Sequence, residues 1–146
     1  MRKSLLNLHY ILATCLLLLL PSLVRAVDLV VIVSSKSQVL ALEQSQIADI
    51  FLGQKAYFPN GTEAIALDQS VGAPIRDAFY LKVTAKSPPL VKAFWSKMIF
   101  TGRGQPPKEV RSSAEIRKLV ADNPSLISYI DRTGLDPSVR VVLAVH

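Results

Sequence analysis

The stretch ALDQSVGAPIRDAF, residues 66–79, has the pattern of a strand that ends in a short polar loop, followed by the start of a helix. Gly72 permits a tight turn, and Pro74 suits the first turn of a helix, where a missing backbone N–H costs nothing. Junctions of this kind bind anions because free N–H groups and the helix dipole point into the loop. The sequence therefore predicts an exposed ligand pocket lined by Asp68, Gln69, Ser70 and Gly72.

Strand and helix patterns alternate on both sides of this junction. The β-branched run of residues 28–34 is typical of a buried strand, and further strands are predicted over 63–68, 126–131 and 139–145. Apolar stripes at helical spacing lie between them, and Phe79, Phe94 and Trp95 are predicted to contribute to the core. This alternation predicts an α/β fold with a mixed, mostly parallel sheet that helices cover on both faces.

Residues 1–26 have the features of a secretory signal peptide. Arg2 and Lys3 precede an apolar run, and small side chains precede the expected cleavage site after Ala26. The alternative is a retained membrane anchor, but the apolar stretch is shorter than the roughly 18 residues that span a bilayer. We therefore expect an exported, periplasmic protein with no stable anchor after cleavage and a single domain over residues 27–146.

The loss of the signal peptide removes most of the reactive side chains. Cys15 is the sole cysteine, and of the two histidines only the terminal His146 remains. A thiol nucleophile, a Ser-His-Asp triad and a histidine metal cluster are therefore all excluded. We predict that the protein is not an enzyme and holds no metal or cofactor.

Positive charge is concentrated in the middle of the chain. The whole sequence carries +6, and the segment 82–118 alone has nine basic and two acidic residues. This asymmetry favours an anionic partner, although a solvated helix face accounts for it equally well. Nucleic acid is not expected as a partner, because the protein is predicted to be exported and has no aromatic-rich basic motif.

Four segments resemble the phosphate-type periplasmic substrate-binding proteins of ABC transporters. QIADIFLGQKAYFPNGTEAIALDQ (46–69) is similar to their helix ending in Ile-Phe-x-Gly, a turn, and a strand entering the binding loop. RDAFY (76–80) matches the Arg-x-x-Phe that follows, and NPSLISYID (123–131) is similar to a late Pro-Gly-Ala-Ile-Gly-Tyr segment. FTGRGQPP (100–107) resembles a segment of short members of the family. The resemblance covers nearly all of residues 27–146 and implies a single periplasmic-binding-protein-like lobe, whereas full-length members have two.

The predicted ligand loop departs from that family. In phosphate-binding members it resembles Arg-x-x-Gly-Ser-Gly-Thr, and its arginine, serine and threonine contact the oxyanion. Here Asp68 stands at the arginine position, and Val-Gly-Ala-Pro (71–74) replaces Gly-Ser-Gly-Thr. A carboxylate repels a divalent anion, and this loop offers no hydroxyl at the matching positions. We therefore do not expect tight phosphate binding at the loop unless Arg76 or another cation neutralises Asp68.

Three further residues complete the candidate ligand site. Ser34 and Ser35 follow the first strand and are expected to face the same pocket, because ligands of α/β sheets bind beyond the carboxyl ends of strands. Arg103 lies between two glycines in the positively charged segment, where it is suited to bidentate contact with an oxyanion or carboxylate. Alternatively, Arg103 pairs with Asp131 or Glu109 and only fixes its loop.

Two functions are compatible with these observations. The resemblance implies a periplasmic solute-binding protein that binds a small anion or other solute and serves an ABC transporter. The alternative is a single-lobe module that contacts another periplasmic protein and binds no small ligand. A homodimer is a further possibility, because two copies would supply the two walls of a cleft.

Overall fold

The structure is a computed structural model that describes residues 27–146, so the predicted signal peptide lies outside the described residues. Within residues 27–146, the chain forms one sheet of five strands and four α-helices. The strands are β1 (Leu29–Ser34), β2 (Ile65–Gln69), β3 (Lys108–Val110), β4 (Leu126–Asp131) and β5 (Val139–Val145). The helices are α1 (Gln44–Phe51), α2 (Pro74–Thr84), α3 (Pro88–Phe100) and α4 (Ser113–Asp122), and a 3₁₀ turn follows β4 at Arg132–Gly134.

The sheet has the strand order β3-β2-β4-β1-β5. Strand β2 pairs in parallel with both β3 and β4, whereas β1 is antiparallel to both β4 and β5. Four strands therefore point in one direction and β1 points in the other. The predicted mixed, mostly parallel sheet is confirmed.

The two faces of the sheet bury different sets of side chains, as the alternation along β1 shows. Leu29, Val31 and Val33 pack into a large cluster with residues of α1, α2 and α3. Val30 and Ile32 point to the other face and pack against Ile116 and Val120 of α4 and their neighbours. Helices thus cover both faces, as the buried apolar strands require.

Two details of the fold differ from the sequence prediction. Strand β3 was not predicted because it has three residues, two of them the exposed and charged Lys108 and Glu109, and lies at the edge of the sheet. Phe79 and Trp95 are buried, but Phe94 is only half-buried and packs against the edge of the core.

Candidate functional site

The polar loop after β2 is a tight turn. The N–H of Ala73 donates to the carbonyl of Ser70 over 3.0 Å, and Gly72 at the third position has a φ of +86°. A positive φ at that position is typical of a type II turn and favours glycine. The turn leads directly into α2, so the predicted strand-turn-helix junction is present.

The donors of this junction are bound by carboxylates of the chain itself. The N–H of Gln69 donates to Asp68 Oδ1 over 2.8 Å, and the N–H of Val71 donates to Glu109 Oε2 over 3.1 Å. Pro74 at the start of α2 has no N–H to offer. The carboxylates of Asp68 and Glu109 therefore accept hydrogen bonds from backbone N–H groups that an anionic ligand would otherwise use.

Asp68 is the centre of a buried polar network. Its Oδ2 accepts hydrogen bonds from Arg76 Nε over 3.0 Å and from the Tyr80 hydroxyl over 2.8 Å. Its Oδ1 accepts a hydrogen bond from the Tyr129 hydroxyl in addition to the bond from the Gln69 N–H. Asp68 is only 1% exposed, so these four donors compensate for the cost of burying its charge.

Burial and the Asp68 charge together set the protonation of the network. Burial raises the pKa of the Tyr80 and Tyr129 hydroxyls well above their ordinary value, and the charge of Asp68 and the hydrogen bonds to it raise these pKa values further. Burial lowers the pKa of Arg76, but the charge of Asp68 and its hydrogen bond outweigh burial, so the net shift is upward. The arginine is therefore charged and both phenols are neutral donors.

We expect the protein to lose stability as the pH rises above about 10, the ordinary pKa of tyrosine. In this range the unfolded chain releases the protons of Tyr80 and Tyr129 while the folded chain retains them. The unfolded state then binds fewer protons, so the free energy of unfolding falls, by up to about 1.4 kcal/mol per pH unit for each tyrosine. Melting temperatures measured from pH 8 to 11 test this.

The matched variants are Tyr129→Phe and Tyr57→Phe. Tyr129→Phe removes one of the two buried phenols, so its melting temperature should fall less steeply between pH 10 and 11. Tyr57 is exposed, and Tyr57→Phe should keep the wild-type slope. If the melting temperatures of Tyr129→Phe and the wild type fell equally steeply with pH, the loss of stability at high pH would not come from the buried tyrosines.

The network corrects one prediction about the loop. Asp68 and Gln69 are buried, so they do not line an exposed pocket. Gln69 directs its side-chain amide inward, where Nε2 donates to Ser113 Oγ over 3.1 Å and to the carbonyl of Tyr129 over 3.2 Å. Among the predicted loop residues, Ser70 is half-buried and Gly72 is exposed.

Ser34 and Ser35 lie at the opposite end of the strands from this loop. Strand β1 is antiparallel to β4, and Val33 near its end pairs with Ile127 near the start of β4. Ser34 is buried, and its hydroxyl donates to the carbonyl of Ala121 over 3.0 Å at the end of α4. The prediction that both serines face the pocket of the loop is therefore wrong, because it assumed that β1 is parallel to β2.

A cleft of about 700 Å³ opens beside the loop, between the first turn of α2 and one face of α3. The lining residues are Val71, Gly72, Arg76, Asp77, Pro88, Pro89, Val91, Lys92, Trp95, Ser96, Ile99, Pro106 and Glu109. Most of this surface is apolar. Its size is in the range of sites for small ligands, about 300–1,000 Å³.

Arg76 brings an unused donor pair to the cleft. The residue is only 7% exposed and its Nε is bound to Asp68, but neither Nη1 nor Nη2 has a hydrogen-bond partner in residues 27–146. Neither atom is fully buried, and Arg76 lines the cleft. The two terminal nitrogens of a guanidinium form a fork that matches the two oxygens of a carboxylate.

Trp95 forms part of the apolar wall of the cleft. Its indole nitrogen is buried and has no hydrogen-bond partner of good geometry within residues 27–146. The N–H nevertheless lies near enough to the Tyr80 hydroxyl to lower the pKa of Tyr80 slightly, against the larger upward shifts. The indole therefore joins the wall of the cleft to the Asp68 network.

Arg103 lies outside this set of lining residues. Its side chain is exposed, and its backbone N–H donates to the carbonyl of Met98 over 2.9 Å. The ion pairs between residues 27–146 are Arg76–Asp68, Arg117–Asp136 and Arg132–Asp28, so the suggested pairing of Arg103 with Asp131 or Glu109 is not among them. A role for Arg103 in binding stays a prediction.

Sequence reasoning missed Lys92, Trp95 and Glu109 as cleft residues. The spacing of α3 placed Trp95 in the core, which is correct for most of the side chain but does not show that one side borders a cleft. Glu109 lies on the unpredicted strand β3, and its contact with Val71 joins positions 38 apart in sequence. Within residues 27–146, no cluster of three or more metal-ligating side chains occurs.

The fold is of the periplasmic-binding-protein type, as its similarity to solved structures shows. No family model matches the chain, and no curated protein matches it. Among solved structures, the chain is similar to a protein from Clostridium perfringens that is described as a phosphate ABC transporter substrate-binding protein with bound phosphate. The two are 25% identical with a TM-score of 0.61, over 79% of this chain and 44% of that one.

Two other solved structures share the fold at lower identity. An ABC-type phosphate transport receptor from Vibrio cholerae is 17% identical with a TM-score of 0.62 and covers 79% of this chain and 45% of its own. PstS from Borrelia burgdorferi is 12% identical with a TM-score of 0.57, over 79% of this chain and 46% of its own. The chain thus spans less than half the length of each of these proteins.

These comparisons confirm the resemblance seen in the sequence. The chain has the fold of phosphate-type substrate-binding proteins of ABC transporters, over less than half of their length. Among residues 27–146, no helix has the length and apolar character needed to cross a membrane.

Proposed function

We propose that the protein is a periplasmic solute-binding lobe that binds a small anionic solute in the cleft between α2 and α3. Arg76 contacts the anion, and the apolar wall of α3 contacts the rest of the solute. The protein releases its solute unchanged rather than acting as an enzyme, and an ABC transporter is the expected recipient. Export by cleavage of residues 1–26 belongs to the same proposal.

The unpaired nitrogens of Arg76 are the observation that carries the proposal. Asp68 binds the guanidinium through Nε and is itself held by the hydroxyls of Tyr80 and Tyr129, so the guanidinium does not need to be ordered when a solute binds. Its Nη1 and Nη2 have no hydrogen-bond partner in the described part of the chain, and Arg76 lines the cleft. A buried arginine held in place with two free donors is typical of a recognition site.

Binding of a solute in the cleft should change the fluorescence of Trp95 and raise the melting temperature. Trp95 is the single tryptophan of the sequence and lines the cleft, so its emission reports on the site directly. A solute at 100 times its dissociation constant adds about 2.7 kcal/mol to the free energy of unfolding. The measurement is a panel of oxyanions, carboxylates and neutral metabolites added to the purified protein.

Two substitutions on α3 test whether the solute binds in the cleft. Ser96 is exposed and lines the cleft, so Ser96→Phe should fill the space and abolish both effects. Ala93 is exposed on the same helix but outside the cleft lining, so Ala93→Phe is the matched control and should bind as the wild type does. The proposal would be contradicted if no solute changed the Trp95 fluorescence or the melting temperature, or if Ser96→Phe left binding unchanged.

Exposed apolar side chains near the cleft favour a second candidate, a module that contacts another protein. Val71 and Ile99 line the cleft and are 69% and 48% exposed, and the neighbouring Phe100 is 92% exposed. A second copy of the chain or another periplasmic protein would bury them. Light scattering of the wild type and Phe100→Ser tests this second candidate. Self-association that Phe100→Ser abolishes, together with no response to any solute, favours a protein-contacting module over a solute-binding lobe.

A further inference from the structure

The charges around the cleft balance one another. Arg76 and Lys92 contribute two positive charges to its lining, and Asp77 and Glu109 contribute two negative charges. Asp68 lies directly behind Arg76 and adds a further negative charge, with Oδ2 at 3.0 Å from Nε. A dianion therefore meets no net positive charge here, whereas a monoanion on Arg76 is far less repelled.

The donors that would surround a tetrahedral oxyanion are also lacking at the loop. The N–H groups of Gln69 and Val71 are bound to Asp68 and Glu109, and Pro74 has none. What remains toward the cleft is the flat fork of Arg76 Nη1 and Nη2. A planar group with two oxygens matches that fork better than a phosphate, which has four oxygens to satisfy.

The opposite side of the cleft is suited to an apolar group. Trp95 and Val91 are buried along α3, and Ile99 and Pro106 extend the surface toward the opening. An apolar group placed here gains about 25 cal/mol for each Å² that it removes from water, whereas a phosphate gains nothing from such a wall.

We propose that the preferred ligand is a monocarboxylate that carries an apolar or aromatic body, and that phosphate is not the ligand. The carboxylate binds the terminal nitrogens of Arg76, and the body lies against Trp95 and Val91. This inference rests on the proposed solute-binding function and specifies its ligand class. A free metabolite and the carboxyl terminus of an apolar peptide share this chemistry.

Phenylacetate and three matched probes test the ligand class on the purified protein. Phenylacetamide lacks the charge, acetate lacks the apolar body, and inorganic phosphate, which is mainly a dianion above its second pKa, lacks both the planar carboxylate and the apolar body. We expect phenylacetate to quench or shift Trp95 emission with a dissociation constant at least ten times lower than that of each of the other three. A short peptide ending in Phe and its C-terminal amide form a further pair, which shows whether a peptide terminus is also accepted.

Arg76→Lys tests the contact without leaving Asp68 unpaired. Lysine keeps a positive charge beside Asp68 but lacks the guanidinium fork, so phenylacetate should bind at least ten times more weakly while phenylacetamide changes little. Arg111→Lys is the matched control, because Arg111 is exposed and lies outside the cleft lining, and it should bind phenylacetate as the wild type does. The circular dichroism spectrum of each variant verifies that it is folded.

The outcomes separate this inference from the proposed function. Binding of phosphate in preference to phenylacetate, or phenylacetate binding that Arg76→Lys leaves unchanged, overturns the ligand class while the cleft remains a solute site. The absence of any response from all probes and from the wider solute panel overturns the proposed function as well.

Discussion

Replacing Asp68 with alanine is expected to lower the free energy of unfolding by about 3–5 kcal/mol. The substitution leaves the Arg76 guanidinium buried without its counter-charge and removes the acceptor of the Tyr80 and Tyr129 hydroxyls. Each buried donor that is left without an acceptor adds to the cost. Because a domain of this size has only about 5–15 kcal/mol of stability in total, this loss should be plain in a urea titration.

Two further variants show that the loss comes from the unpaired charge. Asp122 is an exposed carboxylate at the end of α4, so Asp122→Ala should change the free energy of unfolding by less than about 0.5 kcal/mol. In the double variant Asp68→Ala/Arg76→Met the buried charge is absent, and part of the lost stability should return. A loss below 1 kcal/mol for Asp68→Ala would show that the network contributes little to stability.

The sequence predicted the junction that holds Asp68 but not the role of Asp68. The strand, the turn at Gly72 and the start of α2 at Pro74 all follow from local preferences of the chain, and the structure contains each of them. The bond from Tyr129 joins residues 61 apart, and no local pattern indicates such a partner. The sequence therefore suggested that Asp68 is an exposed ligand contact, whereas the tertiary fold buries its side chain.

The direction of β1 was also beyond local sequence patterns. An apolar β-branched run indicates a buried strand, but the same run pairs equally well in either direction. Only the pairing of β1 with β4 and β5 shows that it runs against the rest of the sheet. That one reversal moves Ser34 and Ser35 to the opposite end of the sheet. Of the predicted site residues, Gly72 and Arg76 line the cleft.

Replacing Phe79 with alanine is expected to cost about 3–5 kcal/mol, as for other fully buried aromatic side chains. Phe79 has no exposed surface, and its ring stacks on that of Tyr129 with the centroids 3.9 Å apart. The ring of Phe51 lies 4.6 Å from it and that of Tyr80 lies 5.4 Å from it. Alanine removes all three contacts and leaves a cavity between α1, α2 and the sheet. Phe100→Ala is the control and should change stability by less than about 0.5 kcal/mol, because Phe100 is exposed.

The position of Phe79 implies that the aromatic core and the polar network act together. Phe79 contacts both Tyr80 and Tyr129, whose hydroxyls bind Asp68, so a shift of the rings moves the donors that hold the carboxylate. The milder pair Phe79→Leu and Tyr129→Phe tests this without unfolding the chain. If the two residues act as one unit, the double variant should lose less stability than the sum of the single losses, by more than about 0.5 kcal/mol. Strictly additive losses in urea titrations would show instead that the core packs independently of the Asp68 network, and that Arg76 is held for the cleft by its polar partners alone.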